Sequence, residues 1–204
     1  MREIEFSGQN KKMEVTAEKN FQLNADINAI WKALTNPEII VVCIPGAQLT
    51  ETIDEDHFKG KVSVKIGPVI AKFRGEVEFS KRDSSTYELV MMGKGADING
   101  KGGAAMNMGL TLNELETCTE AYCKMTVSIT GRIAQFGSRM FEAVNNKLFE
   151  QFINNFSNLL EQENWEEKTT ELHAESEPVK ATSLVGSVIV SKLKRKFGNK
   201  AGTG

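Results

Sequence analysis

From Met13 to Leu23 apolar residues fall on odd positions, Met13, Val15, Ala17, Phe21 and Leu23, against polar Glu14, Thr16 and Glu18. That two-residue period is that of a strand with one buried face. Asp26 then stands where a helix N-cap belongs, and Ile27, Ile30, Trp31 and Leu34 recur behind it at helical spacing. Asn36-Pro37 ends that helix and starts a second short one through Val42, and Pro45-Gly46 closes the helical insert. Alternation returns with Phe58, Val62, Val64 and Ile66 against Lys59, Lys61, Ser63 and Lys65, then with Ala71, Phe73, Val77 and Phe79 against Lys72, Arg74, Glu76 and Glu78. These form a hairpin turning at Gly67-Pro68. The same pattern runs through Tyr87, Leu89 and Met91, through Met106, Met108, Leu110 and Leu112, and through Cys123, Met125, Val127 and Ile129.

After Gly131 the period changes to three- and four-residue steps: Ile133, Phe136, Met140, Phe141, Val144, Leu148, Phe152, Phe156 and Leu159. One amphipathic helix of about 28 residues and about 40 Å is expected there. The predicted order is strand, two short helices, about six strands, long helix, which is an α+β arrangement of one curved antiparallel sheet gripping one helix. A helix about 10 Å across cannot alone fill the concave side of a strongly twisted sheet of about seven strands. Either bulky side chains or a bound apolar molecule must occupy the remainder, and the pattern leaves both open. If a ligand is held, its lining falls among Val64, Phe73, Val77, Tyr87, Leu89, Met91, Met106, Met108, Leu110, Met125, Phe136, Met140, Phe141 and Val144.

Charge changes the picture at the C-terminal end. Residues 161–178 hold seven Glu against one Lys, and residues 179–204 hold five Lys, one Arg and no acid. Removing both blocks leaves residues 1–160 at −2, so the folded part does not look like a nucleic-acid binder. The expected organisation is a ligand-binding domain over 13–160, an acidic disordered linker over 161–182 and a basic tail over 183–204. In the tail, Ser183 caps a helix of about 15 residues, too short to span about 30 Å of hydrocarbon but suited to the interface. Its apolar side is Leu184, Val185, Val188, Ile189, Leu193 and Phe197, with Lys192, Lys194, Arg195 and Lys196 between them. The N-terminal residues lack the apolar run of a secretory signal, so the expected location is the cytoplasm, at the inner face of the membrane.

Motifs for chemistry are few. Gly95 to Lys101 spells GxxxxGK, but Gly102 follows where a phosphate loop needs Ser or Thr, and the segment leads into a strand. It reads as a flexible glycine-rich inter-strand loop. Cys43, Cys118 and Cys123 are odd in number and match no zinc or disulfide spacing, so no metal is expected. His57 follows Asp54-Glu55-Asp56 and reads as a turn residue. Because the inward positions named above carry no His, Asp, Glu or Lys, binding outranks catalysis.

Three segments together, Cys43-Ile44-Pro45-Gly46-Ala47, the glycine-rich Gly93 to Gly103, and Gly131 to Arg139 (GRIAQFGSR), resemble the CoxG family of carbon monoxide dehydrogenase subunits. That family lies within the polyketide cyclase, START and Bet v 1-like superfamily of helix-grip domains, and the resemblance covers about residues 13–160. It implies a non-catalytic protein that serves a carbon monoxide dehydrogenase or related molybdenum hydroxylase, with a cavity for a quinone-like lipid as cargo and a C-terminal membrane attachment. Thr119 to Cys123 departs from the Gly-Thr and aromatic strand that family members more often show. Two other functions share the fold: a cyclase or aromatase, and a membrane tether without cargo.

Overall fold

The computed structural model describes residues 12–100, 102–162 and Trp165. Strand β1 (Lys12–Leu23) leads into helices α1 (Ile27–Leu34) and α2 (Pro37–Cys43). Six strands follow: β2 (Ala47–Thr52), β3 (His57–Ile66), β4 (Val69–Asp83), β5 (Glu88–Asp97), β6 (Gly103–Glu114) and β7 (Thr119–Thr130). A short 3-10 turn (Arg132–Phe136) and helix α3 (Ser138–Leu160) close the order. The seven strands form one antiparallel sheet in the order β1-β7-β6-β5-β4-β3-β2. The helix-grip architecture is therefore the one expected.

Local chemistry accounts for the helical insert. Asp26 Oδ1 accepts from the backbone N–H groups of Asn28 and Ala29 at 2.9 and 3.3 Å, which satisfies two orphan donors of α1. Asn36 does the same for Glu38 and Ile39, and Pro37 sits in the first turn of α2, where its missing N–H costs nothing.

Four details differ from the pattern. The long helix begins at Ser138, not Ile133, because Gly137 takes φ +81 and separates a 3-10 turn from α3. Its 23 residues span about 34 Å. The glycine-rich stretch is mostly strand: β5 runs to Asp97 and β6 starts at Gly103, which leaves a loop of five residues. Strand β2 carries almost no alternation, being exposed at most positions, and no apolar pattern marked it. Trp165 lies inside the expected linker yet is buried among core residues. It is the aromatic ring of the acidic stretch, and burying it carries the packed unit past residue 160. Of the linker and tail, all but Glu161, Gln162 and Trp165 lie outside the described residues, as do all ten anchor positions from Leu184 to Phe197.

Packing divides into two cores. One gathers Leu23, Ile30, Leu34, Ile39, Phe58, Phe79, Leu89, Leu110 and Phe156 around α1, α2 and the C-terminal half of α3. The other gathers Val15, Ile66, Ala71, Phe73, Ile129, Ile133 and Phe141 under the start of α3.

Candidate ligand-binding site

Register places the inner face row by row. Phe58, Val77, Gly93, Met106, Val127 and Val15 form one transverse row from β3 to β1. The next row is Phe79, Met91, Met108, Met125 and Ala17, and the one beyond it is Leu89, Leu110, Cys123 and Lys19. Met91, Met106, Met108 and Met125 thus form a contiguous methionine floor on the adjacent strands β5, β6 and β7.

Burial shows what covers that floor. Leu89 and Leu110, one row away, are almost sealed, as are Phe73 and Phe141 in the other core. Met106, Met125 and Val77 are only half-buried although they face inward, and they belong to neither core. Helix α3 makes most of its backbone approaches to β1, α2 and β3, so the sheet's two sides grip it while the middle strands stand off. Accessible apolar side chains on a covered face are what space between helix and sheet would leave. The two cores close its ends, with Met91 and Met108 packed against one and Val64, Phe136, Met140 and Val144 against the other.

Of the fourteen expected lining residues, Val77, Met106 and Met125 are the inward side chains left outside both cores, and Met91 and Met108 pack against the edge of the first. Phe73, Leu89, Leu110 and Phe141 are spent on core packing. Tyr87 is not on the floor. It precedes β5 at φ +50, its ring meets Trp31 edge-on at 5.7 Å, and its hydroxyl donates to Asn28 Oδ1 at 2.7 Å. Helix α1 holds that ring, and a left-handed tyrosine costs about 1 kcal/mol or more that these contacts offset.

One polar group interrupts the apolar inner face. Lys19 stands on an odd position of β1, on the inner face beside Cys123, and is half-buried. Its signal was the parity itself, since it continues Met13, Val15 and Ala17. Asp97 also has inner-face register, but at the end of β5, where its Oδ1 accepts from Asn99 N–H at 3.1 Å. Burial pushes the Cys123 thiol up to about 11, and Cys43 likewise to about 11. Neither is a thiolate nucleophile near neutral pH. His57 is exposed at the head of β3, with Nδ1 2.8 Å from Asp54 Oδ1, away from the gap.

The outer face is different in kind. There a groove of about 620 Å3 is rimmed by Lys12, Arg74, Lys94 and Glu76 over glycines and alanines of β4, β5 and β6. Its charge and openness do not suit an apolar molecule.

The CoxG family profile, named for a carbon monoxide dehydrogenase subunit, matches residues 20–161, which is well over half of the chain. The chain belongs to the CoxG family. Solved structures show the fold of this CoxG chain. A conserved protein from Geobacillus kaustophilus is 22% identical with a TM-score of 0.65, covering 72% of this chain and 95% of its own. A protein from Rhizobium leguminosarum is 11% identical with a TM-score of 0.56, covering 76% and 99%. The Zhui aromatase/cyclase from Streptomyces sp. R1128 is 12% identical with a TM-score of 0.53, covering 73% and 94%. At these identities the likeness carries the fold alone. No curated protein matches the sequence. Among the described residues, no helix is long and apolar enough to cross a membrane and no group of His, Cys, Asp and Glu could hold a metal.

Proposed function

We propose that this CoxG chain is a carrier that takes up a quinone-like lipid and serves a carbon monoxide dehydrogenase or related molybdenum hydroxylase at the cytoplasmic face of the membrane. The observation that supports it is the accessible methionine floor between two closed cores. Methionine is unbranched and polarizable, so a floor of four adapts to a long apolar chain without a fixed mould. The family supplies the dehydrogenase context, and the basic tail of the sequence supplies the membrane.

Catalysis is the weaker reading because acid-base work needs paired groups within hydrogen-bond reach. Lys19 faces inward without such a partner among the described residues, and the buried Cys123 thiol beside it is protonated. A cyclase would need more.

Native mass spectrometry of the full chain after exposure to a bacterial lipid extract is the test. A retained quinone-sized adduct is expected, and Met106→Trp, which fills the gap, removes it while the chain stays folded. A chain that retains nothing and tolerates no filling would be a tether with a packed interior, and the carrier reading would fall.

A further inference from the structure

Of the nine large apolar side chains exposed among the described residues, three fall together. Val69, Ile70 and Ile98 are 39%, 58% and 51% exposed, and they share one end of the sheet. Val69 and Ile70 follow the Gly67-Pro68 turn at the tip of the β3–β4 hairpin, with Lys65 across the ladder from Ile70. Ile98 opens the β5–β6 loop and its N–H donates to Lys72 O at 2.8 Å, which sets it beside the same hairpin. Two adjacent loop tips therefore present one apolar wedge.

Cations ring this wedge. Lys65 and Lys72 point outward from the hairpin that carries it, and one step further along β4 Arg74 forms the rim of the outer groove with Lys12 and Lys94. None of these five has an ion pair among the described residues, although lysines elsewhere on the surface do, Lys59 with Glu51 and Lys124 with Glu18. Glu76 is the single carboxylate in that groove lining. An apolar tip with unpaired cations behind it is complementary to an anionic bilayer: the aliphatic side chains enter the acyl region and the ammonium and guanidinium groups stay at the headgroup level. A protein partner with acidic side chains would pair the cations but would leave two isoleucines to find their own pocket.

We infer that this end of the folded domain, the tips of the β3–β4 hairpin and β5–β6 loop, is a membrane-docking surface for anionic lipid, with the basic groove seating headgroups. The inference concerns how the domain faces the bilayer and goes beyond the carrier reading. It can stand if no cargo is ever found, just as cargo can be found in a domain that docks otherwise.

The test uses the full chain in three tryptophan variants, Ile70→Trp, Ile98→Trp and Val42→Trp, with wild type subtracted for Trp31 and Trp165. Val42 is a fitting control because, among the described residues, it is the most exposed large apolar side chain and it lies on α2, in neither loop tip. Vesicles of phosphatidylglycerol and phosphatidylethanolamine carrying brominated acyl chains report depth by quenching. Quenching at Ile70→Trp and Ile98→Trp at least about threefold that at Val42→Trp is expected, falling toward the control in phosphatidylcholine vesicles or when Lys65→Glu and Lys72→Glu are added. Equal quenching at the three positions, or none at the two loop tips, overturns the docking surface. Loss of quenching at the tips only when purified dehydrogenase is added, after full quenching without it, supports it and shows competition for the same end.

Discussion

At the scale of single residues, the gap is a matter of which inward side chains remain accessible. Phe156 is 0% exposed and packed into the first core, so Phe156→Ala should cost about 3–5 kcal/mol by thermal or denaturant unfolding. Met125 faces the same interior half-buried, so Met125→Ala should cost about 1 kcal/mol or less, because fewer contacts are lost where space already exists. Equal losses would mean a packed interior. Lys19 makes the second residue-scale prediction. If its ammonium donates to a cargo carbonyl, Lys19→Met weakens a quinone about tenfold against an alkane of equal size; unchanged discrimination would leave Lys19 as an inward charge that guards the edge strand β1. At the opposite end, the hydrogen bond with Asp54 holds the His57 imidazole above its ordinary 6.5, while the Asp56 N–H and His57 hold the Asp54 carboxyl below its ordinary 3.8. The raised histidine contributes fully below 6.5 and the lowered aspartate fully above 3.8, so the pair is strongest between those values and fades as pH rises or falls beyond them. In Asp54→Asn an NMR titration should show the His57 pKa lowered from its wild-type value, because the largest cause of its rise is gone. Period-two alternation made the floor legible, Met125 and Met106 included. It could not separate floor from core, since accessibility depends on where α3 settles, and it passed over Lys19 because a charge on an apolar face breaks the pattern that finds the face.

At the scale of elements, curvature is what lets a sheet grip a helix without filling the space between, and glycine sets it. A Cβ on Gly75 would stand 2.0 Å from Lys94 O and 2.5 Å from Gly95 Cα, so β4 and β5 approach there more closely than any side chain permits. Gly109, on the outer face of β6, would meet nothing within 4 Å. Gly75→Ala should therefore destabilise by about 2–4 kcal/mol, and Gly109→Ala should lie within about 0.5 kcal/mol of wild type. Comparable effects at both positions would show that propensity, not close approach, governs these strands. The same glycines explain a misreading. Gly95 looks like a loop residue in sequence because glycine is poor in strands, whereas register puts it opposite Gly75, where the two strands approach most closely. Gly137 misleads in the other direction. The helical period of Ile133 and Phe136 runs on into α3, and only a backbone at φ +81 reveals that the chain turns before the helix starts.

At the scale of the whole molecule, the two proposed membrane contacts would have different tasks. In the proposed reading the tail carries the affinity: its six apolar residues and four cations, expected from the sequence to share a short helix, would bind anionic lipid at about 1 kcal/mol per cation plus the burial of its apolar side. The loop tips offer two isoleucines and a valine on a rigid sheet, too few to hold 204 residues at a surface alone but enough to orient a domain that is already tethered. A chain ending at Pro178 should then lose co-sedimentation with anionic vesicles while keeping its melting temperature and its cargo, and Ile189→Asp in the full chain should lose nearly as much. Raising salt from about 0.05 to 0.5 M should release the full chain, since the headgroup attraction is screened within a Debye length of about 10 Å or less. The two contacts should be separable: Ile70→Asp is expected to leave sedimentation intact while removing orientation, read as loss of the preferred quenching at the other tip. Sedimentation of the truncated chain equal to that of the full chain would transfer the affinity from the tail to the loop tips, and the division of tasks between them would be wrong.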